Sequence, residues 1–337
     1  MHALQRNVPL APLTTLGIGG PAKYFLEARS VDDVREAVDW ASSNNEPLLV
    51  LAGGSNVLIA DEGFPGLVLH LRLRGITIES EGVIKVAAGE PWDEIVAMAI
   101  QKGWAGIECL SGIPGSTGAT PIQNVGAYGQ DVSETVVRVE VFDRSTRQVS
   151  WLTNADCGFG YRTSAFKGKD RYVVLSVIFQ LQPGGAPTVR YPELQKFVGH
   201  ASDLQQVRDA VITIRRSKGM VIDPADPDTR SDGSFFMNPI VSALPAEMPH
   251  FPAGDKIKLS AAWLIEHAGF HKGFVHGNVG ISTKHTLAII NRGGGTAREV
   301  LELARMIQSA VQQKFGVELR PEPIFIGLST VSDQRPA

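Results

Sequence analysis

The sequence predicts a multi-domain α/β-type protein, and three observations carry that expectation. Apolar runs of strand length alternate with segments of helical periodicity through the first half. Two loops rich in glycine and hydroxyl residues interrupt that alternation. A composition break, Gln182-Pro-Gly-Gly-Ala-Pro187, then separates a second region with its own helices and strands. At 337 residues, with 43% hydrophobic and 20% charged residues, the chain is long enough for two or three domains and needs no disulfide or metal staple.

The elements follow in order. Ser30 is a good N-cap with Asp33 at the third helical position, and Val34, Ala37, Val38 and Ala41 recur at helical spacing. Pro47 ends that pattern, and Leu48–Leu51 reads as a buried strand running into Ala52-Gly-Gly-Ser-Asn56. Leu67–Leu71, Ile76–Ile78 and Val83–Ala87 are short strands, and Trp92–Lys102 is an amphipathic helix. From Gly106 to Gly129 the chain is glycine-rich yet carries Ile107, Leu110, Ile113, Ile122 and Val125. Such a stretch is expected to be ordered around something, because long structureless loops inside domains are uncommon. Val136–Phe142 and Val173–Leu181 alternate as strands. Beyond the break, Leu204–Lys218 and Leu259–Ala268 read as helices, Thr286–Asn291 as a buried strand, and Val317–Leu319 and Ile324–Ile326 as closing strands. Thr296-Ala-Arg-Glu299 is a capping-box pattern ahead of Val300, Leu301, Ala304, Ile307 and Val311, the spacing of a long final helix.

Charge and composition exclude several function classes. The 32 basic and 35 acidic residues leave a formal charge of −3, so electrostatics points to neither nucleic acid nor an anionic membrane. Cys109 and Cys157 stand apart without metal-ligand spacing; two reduced thiols and no metal site are expected. No run approaches ~18 apolar residues, and Met1–Leu13 has no continuous apolar core of a leader. A cytoplasmic chain without a membrane partner is the expectation.

The chemistry concentrates in the glycine loops. Gly53-Gly-Ser-Asn56 directly follows a strand. Glycines there let backbone N–H groups approach a ligand closely, while serine and asparagine add donors, which suits a pyrophosphate. Alone it is as readily a tight turn. Ser111-Gly-Ile-Pro-Gly-Ser-Thr-Gly118 and Gln123-Asn-Val-Gly-Ala-Tyr-Gly129 add a second such region, and together the loops fit a large dinucleotide. Gly17-Ile-Gly-Gly-Pro-Ala22 matches a dinucleotide fingerprint, but no apolar strand precedes it and Pro21 sits where backbone should meet phosphate; a Rossmann site is rejected there. Gly293-Gly-Gly295 before the last helix reads as an ordinary capped connection rather than a phosphate site.

In order, Asn7 with Thr14-Thr-Leu-Gly-Ile-Gly-Gly20, Leu51–Leu58, Gly112–Gly115, Gln123–Gly129, Tyr161-Arg-Thr-Ser-Ala-Phe166, Gly233-Ser-Phe-Phe-Met-Asn-Pro239, Ala261–Ile265 and Pro321-Glu-Pro-Ile-Phe-Ile-Gly327 resemble the motifs of the UDP-N-acetylenolpyruvoylglucosamine reductase family, the UDP-N-acetylmuramate dehydrogenases. The ordered set spans nearly the whole chain and is far more specific than any one motif. The resemblance implies an α+β protein: a vanillyl-alcohol-oxidase/PCMH-type FAD-binding fold of two α+β subdomains plus a C-terminal α+β substrate-binding domain. The expected boundaries are 1–70 and 71–185 for the subdomains, 186–325 for the substrate domain and 326–337 for a tail.

It also implies non-covalent FAD, NADPH as electron donor, and reduction of UDP-N-acetylglucosamine enolpyruvate to UDP-N-acetylmuramate by a monomer, for peptidoglycan precursor synthesis. Hydride passes from reduced flavin N5 to the enolpyruvyl C3, and Ser234 protonates C2. Arg162 and Glu322 stabilise the enolate-like intermediate; a guanidinium pairs bidentately with carboxylates, and Glu322 serves there as an acid. Without the motif context, Arg162 reads as a surface ion pair, Ser234 as a loop serine and Glu322 as a turn residue. Cofactor contacts are expected from Gly53, Gly54, Ser55, Asn56, Ser111, Gly112, Pro114, Gly115, Ser116, Thr117, Gly118, Gln123, Asn124, Gly126, Ala127 and Tyr128. Substrate contacts are expected from Tyr191, in the branch with a substrate-loop tyrosine, and from Lys218, Asn238, Lys272 and His285. Thr117 and Thr120 depart from the family pattern with hydroxyls able to reach a flavin, and Val275–Gly280 lacks the usual small-residue run. Two rivals remain. An FAD-linked oxidase is disfavoured because neither flavin loop carries a histidine for covalent attachment. A binding protein without catalysis would have lost Arg162, Ser234 or Glu322.

Overall fold

The structure is a computed structural model that describes residues 4–199, 203–244 and 247–328. The chain divides into two compact units. The first comprises Met1–Val8, Lys23–Gly53 and Pro65–Val221; the second comprises Pro9–Ala22, Gly54–Phe64 and Ile222–Ala337.

In the first unit, a four-stranded sheet runs in the order Gln5–Pro9, Pro21–Ala28, Phe64–Leu71, Leu48–Leu51. The last two strands pair in parallel, Leu51 opposite His70. That pairing needs a crossover, and the link that leaves Leu51 carries the first glycine loop. Helix α1 (Val31–Ser43) starts at a reciprocal capping box between Ser30 and Asp33 and buries Val34, Ala37, Val38 and Ala41, the face expected from its spacing. A five-stranded antiparallel sheet follows, ordered Gln148–Thr153, Val136–Asp143, Tyr172–Gln180, Val83–Ala87, Ile76–Ser80. Helix α2 (Trp92–Gln101) buries Trp92, Ile95, Val96, Ala99 and Ile100. One core cluster runs continuously from Leu26 and Leu69 through Trp92 and Ile95 to Val177 and Phe179. The short helices α3 (Thr120–Gln123) and α4 (Pro192–Val198) and the longer α5 (Leu204–Ser217) complete the unit. Helices α4 and α5 thus pack with the first unit, on Cys109 through Leu194, Val207, Val211 and Ile214, although they follow the composition break.

The second unit holds two three-stranded sheets, Ile240–Val241/Lys256–Leu259/His250–Ala253 and Val275–His276/Val279–Ile281/Ile289–Asn291, and a parallel pair of Val57–Ile59 with Ile324–Ile326. Helices α6 (Ala261–His267) and α7 (Ala297–Phe315) bury Leu264, Ile265, Val300, Leu303 and Ile307 in its core. Thr296 and Glu299 form the expected capping box, and Asp61 accepts from Ala297 N at 2.7 Å and Arg298 N at 3.1 Å. An internal carboxylate therefore occupies the end of α7, consistent with the capped connection read there.

Three expected elements differ. Val317–Leu319 is no strand: both end residues are buried, but the Leu319 carbonyl accepts from Gln308 Nε2 at 2.8 Å, a helix side chain rather than a neighbouring strand. Leu259 ends a strand rather than starting α6, because Ser260 is the N-cap. The strand expected from Thr286 begins at Ile289. Gly17–Ala22 leads into a strand, not a helix, which agrees with rejecting a Rossmann site. No helix among the described residues is long and apolar enough to cross a membrane.

Candidate active site

In the first unit the two glycine regions meet. A Cβ on Gly53 would stand 2.5 Å from Gly115 Cα and 3.0 Å from Ser116 N, so only a glycine lets these backbones touch. The second loop is fixed from beneath by main-chain bonds: Trp92 N donates to Gly115 O at 3.0 Å, Thr117 N to Glu90 O at 2.8 Å and Gly118 N to Ala88 O at 2.9 Å. Asp93 accepts from Gly112 N at 2.6 Å and binds Arg208 through both oxygens at 2.7 and 2.8 Å. Burial pushes the Asp93 carboxyl up, but Arg208 and the Gly112 amide outweigh it and hold it below the ordinary range.

Arg162 gathers the third loop. Its guanidinium donates to the Gly126 carbonyl and, at 3.4 Å, to Asn124 O and Asp131 Oδ1. Asn124 donates back to Gly160 O at 3.0 Å. Asn124, Tyr128 and Arg162 adopt φ of 46°, 49° and 53°. Left-handed conformations are uncommon for tyrosine and arginine, and such strain persists where the surroundings enforce a specific geometry.

Tyr128 joins the expected cofactor and substrate residues. Its ring stands edge-on to Tyr191 at 5.6 Å, and the Lys218 ammonium lies 6.0 Å from its centroid. Lys218 also pairs with Glu193 at 2.6 Å. Burial raises Tyr128 to about 12, against the opposing pull of Arg215. Arg215, 8% exposed, donates to Gly112 O at 3.2 Å and Met220 O at 2.8 Å. Arg215, Asp93 and Arg208 were not singled out from the sequence. A signal existed for Arg215: it continues the apolar Val207, Val211, Ile214 face of α5, and a charge on a buried face needs an internal partner.

In the second unit, three distant segments are stitched together. Asn56 donates through Nδ2 to Glu322 O at 3.4 Å, and Ile324 N donates to Asn56 O at 3.0 Å. Glu322 N donates to Phe235 O at 2.9 Å, while Phe236 bridges Pro321. Ser234 therefore sits on the segment bonded to Glu322, and Glu322 on the segment bonded to the Asn56 loop. Gly54 is locked there: a Cβ would lie 1.9 Å from Leu13 O, and its own carbonyl accepts from Thr15 N at 3.0 Å. Phe235 and Phe236, each 1% exposed, form an apolar floor beside Ser234.

The remaining expected substrate residues are placed differently. Asn238 spends its side-chain oxygen on Ala261 N at 2.9 Å, at the start of α6. Lys272 is exposed, and His285 is half-buried with its backbone N–H donated to Ser282 Oγ at 3.2 Å.

The residues fit the implied FAD. Ser116 Oγ, inside the second glycine loop, is buried without a hydrogen-bond partner among the described residues, and such orphans are uncommon unless a ligand or water satisfies them. Gly53 and Gly118 keep the loop backbones in close contact where a side chain would force them apart.

This frame of paired glycine loops on mixed helices and strands defines a flavin-binding oxidoreductase of the vanillyl-alcohol-oxidase/PCMH type. A family model described as an FAD binding domain matches residues 22–151, and one described as the UDP-N-acetylenolpyruvoylglucosamine reductase C-terminal domain matches residues 224–326. The chain is 50% identical to the UDP-N-acetylenolpyruvoylglucosamine reductase of Thermobifida fusca, over 96% of this chain and 98% of that protein. It is also 50% identical to that of Salinispora arenicola, over 94% of each. The crystal structure of the Thermus caldophilus reductase superposes with a TM-score of 0.70 at 26% identity, covering 96% of this chain and 99% of that one. The chain belongs to the UDP-N-acetylenolpyruvoylglucosamine reductase family.

Proposed function

We propose that the protein reduces UDP-N-acetylglucosamine enolpyruvate to UDP-N-acetylmuramate with NADPH, through bound FAD, in peptidoglycan precursor synthesis. The observation that carries this reading is the hydrogen-bonded convergence of Asn56, Ser234's segment and Glu322. A cofactor loop and two candidate proton-handling residues share one backbone frame. FAD, when bound, accepts hydride from NADPH and supplies it from N5 to the enolpyruvyl C3.

The chain's own residues do the rest. Gly53, Ser111, Gly112, Pro114, Gly115, Ser116, Thr117 and Gly118 are assigned to the cofactor, as are Gln123, Asn124, Gly126, Ala127 and Tyr128, and, in the second unit, Gly54, Ser55 and Asn56. Arg162, strained and held by loop carbonyls, is assigned the substrate carboxylate, where a guanidinium offsets the charge that builds during reduction. Glu322, on a stiff Pro-Glu-Pro segment, is assigned a proton that steadies the enolate oxygen. Ser234 delivers its Oγ proton to C2; a weak acid suffices because the acceptor carbon is strongly basic, and Phe235 and Phe236 limit water beside it. Tyr191 and Lys218 are assigned to the UDP-sugar, with Asn238, Lys272 and His285 as further contacts. The division at residues 70, 185 and 325, a monomeric state and a cytoplasmic site of action belong to the same proposal.

An anaerobic visible spectrum tests it. Flavin bands should bleach with NADPH and return with the enolpyruvyl substrate. Bands that return only with oxygen would favour an oxidase, and a colourless protein that cannot be reconstituted with FAD would contradict the cofactor assignment.

A further inference from the structure

Asp232 stands two residues before Ser234, between anchored neighbours. It is 7% exposed, and both carboxyl oxygens are buried without a hydrogen bond among the described residues. On one side Ser231 bridges Ile290, its carbonyl accepts from Thr15 Oγ1 at 2.7 Å, and its hydroxyl accepts from Gly233 N at 3.2 Å. On the other, Phe235 N donates to Leu287 O at 2.7 Å. Gly233, at φ +74°, turns the chain from Asp232 to Ser234. Both flanks are thus fixed by hydrogen bonds around a buried carboxyl.

A buried carboxylate without donors is costly by several kcal/mol, whereas the neutral acid costs far less. Burial pushes Asp232 well above the ordinary carboxylate range; the Thr15 hydroxyl opposes this, and no charged side chain acts on it from the elements that close over it. Thr15 is also the residue whose N–H donates to Gly54 O. Thr15 thus ties the carbonyl next to the acid to the cofactor loop, through its hydroxyl on one side and its backbone on the other.

We infer that Asp232 is a positioning residue for Ser234: buried at the Gly233–Ser234 turn, which Thr15 ties to the Gly54 loop, it keeps that turn in the geometry needed for proton delivery. This rests on Ser234 as proton donor. It makes the second half-reaction vulnerable to alkali, because ionisation puts an unsolvated charge under the turn. The stability sign follows. The native state binds this proton above the pH at which the unfolded chain releases it. Stability is therefore lost as pH rises from the ordinary carboxylate range toward the native value.

The test uses FAD-loaded Asp232→Asn and Asp232→Ala. Asparagine keeps the neutral shape, so its Tm advantage over the parent should grow between pH 5 and 9. The alkaline fall in substrate-driven reoxidation should move up by at least one pH unit or vanish, with flavin reduction by NADPH kept within about twofold. Alanine should slow reoxidation about tenfold at neutral pH. An Asp232→Asn protein with the parent's Tm and reoxidation profile at every pH would overturn the inference, and this holds even if Asp232→Ala fails to fold. Normal reoxidation in Ser234→Ala would overturn the proton-donor reading, and the positioning role with it. The substrate-free Tm–pH comparison separates the two failures.

Discussion

Arg215 in the first unit and Asp232 in the second are both buried charged residues, and they are held in opposite ways. Arg215 is 8% exposed, yet donates to the carbonyls of Gly112 and Met220. Asp232 is 7% exposed and has no hydrogen bond among the described residues. Arg215 spends donors on both carbonyls and so ties α5 to the loop at Gly112. Asp232 can stay inside only by remaining neutral. A charge paired with backbone carbonyls makes a rigid scaffold; an orphaned group makes a site whose geometry depends on protonation.

The largest expected effect breaks the satisfied side. Arg215→Ala removes the donor to two carbonyls, those of Gly112 and Met220, and should cost about 3 kcal/mol. Urea unfolding should show it, together with weakened FAD retention; an unchanged midpoint would mean the network is dispensable. Next comes the close contact that joins the loops. Gly53→Ala places a methyl 2.5 Å from Gly115 Cα and should cost about 2 kcal/mol by overpacking. It should read out as loss of flavin on dilution with only a modest fall in Tm. The smallest effect is a control at a helix cap that shares no hydrogen bond with either network. Thr296→Ala removes the acceptor for Glu299 N at the start of α7 and should cost about 1 kcal/mol. Both flavin half-reactions should be unaltered.

What could be read from the sequence was mostly local. The capping boxes at Ser30 and Thr296 and the apolar spacing after them depend on neighbours within one or two turns, and α1 and α7 begin where expected. The strands of Val83–Ala87 and Ile324–Ile326 announce themselves by β-branched residues. What was hidden is non-local or polar. Gln5–Pro9 and Pro21–Ala28 carry prolines and charges and gain their strand character only from pairing. Val317–Leu319 has strand composition, but its burial comes from packing on α7. For the site, the glycine loops were visible because close backbone approach demands glycine. Nothing local marks Asp232 as buried or Thr15 as the residue that ties Gly54 to Ser231, since both facts depend on segments more than two hundred residues apart.

The central claim is that Ser234 acts in one half-reaction only. Stopped-flow spectroscopy of FAD-loaded Ser234→Ala measures both. Flavin reduction by NADPH should stay within about twofold of the parent, and reoxidation by the enolpyruvyl substrate should fall by on the order of 10²–10⁴. Equal losses in both steps, or reoxidation at the parent rate, would contradict it.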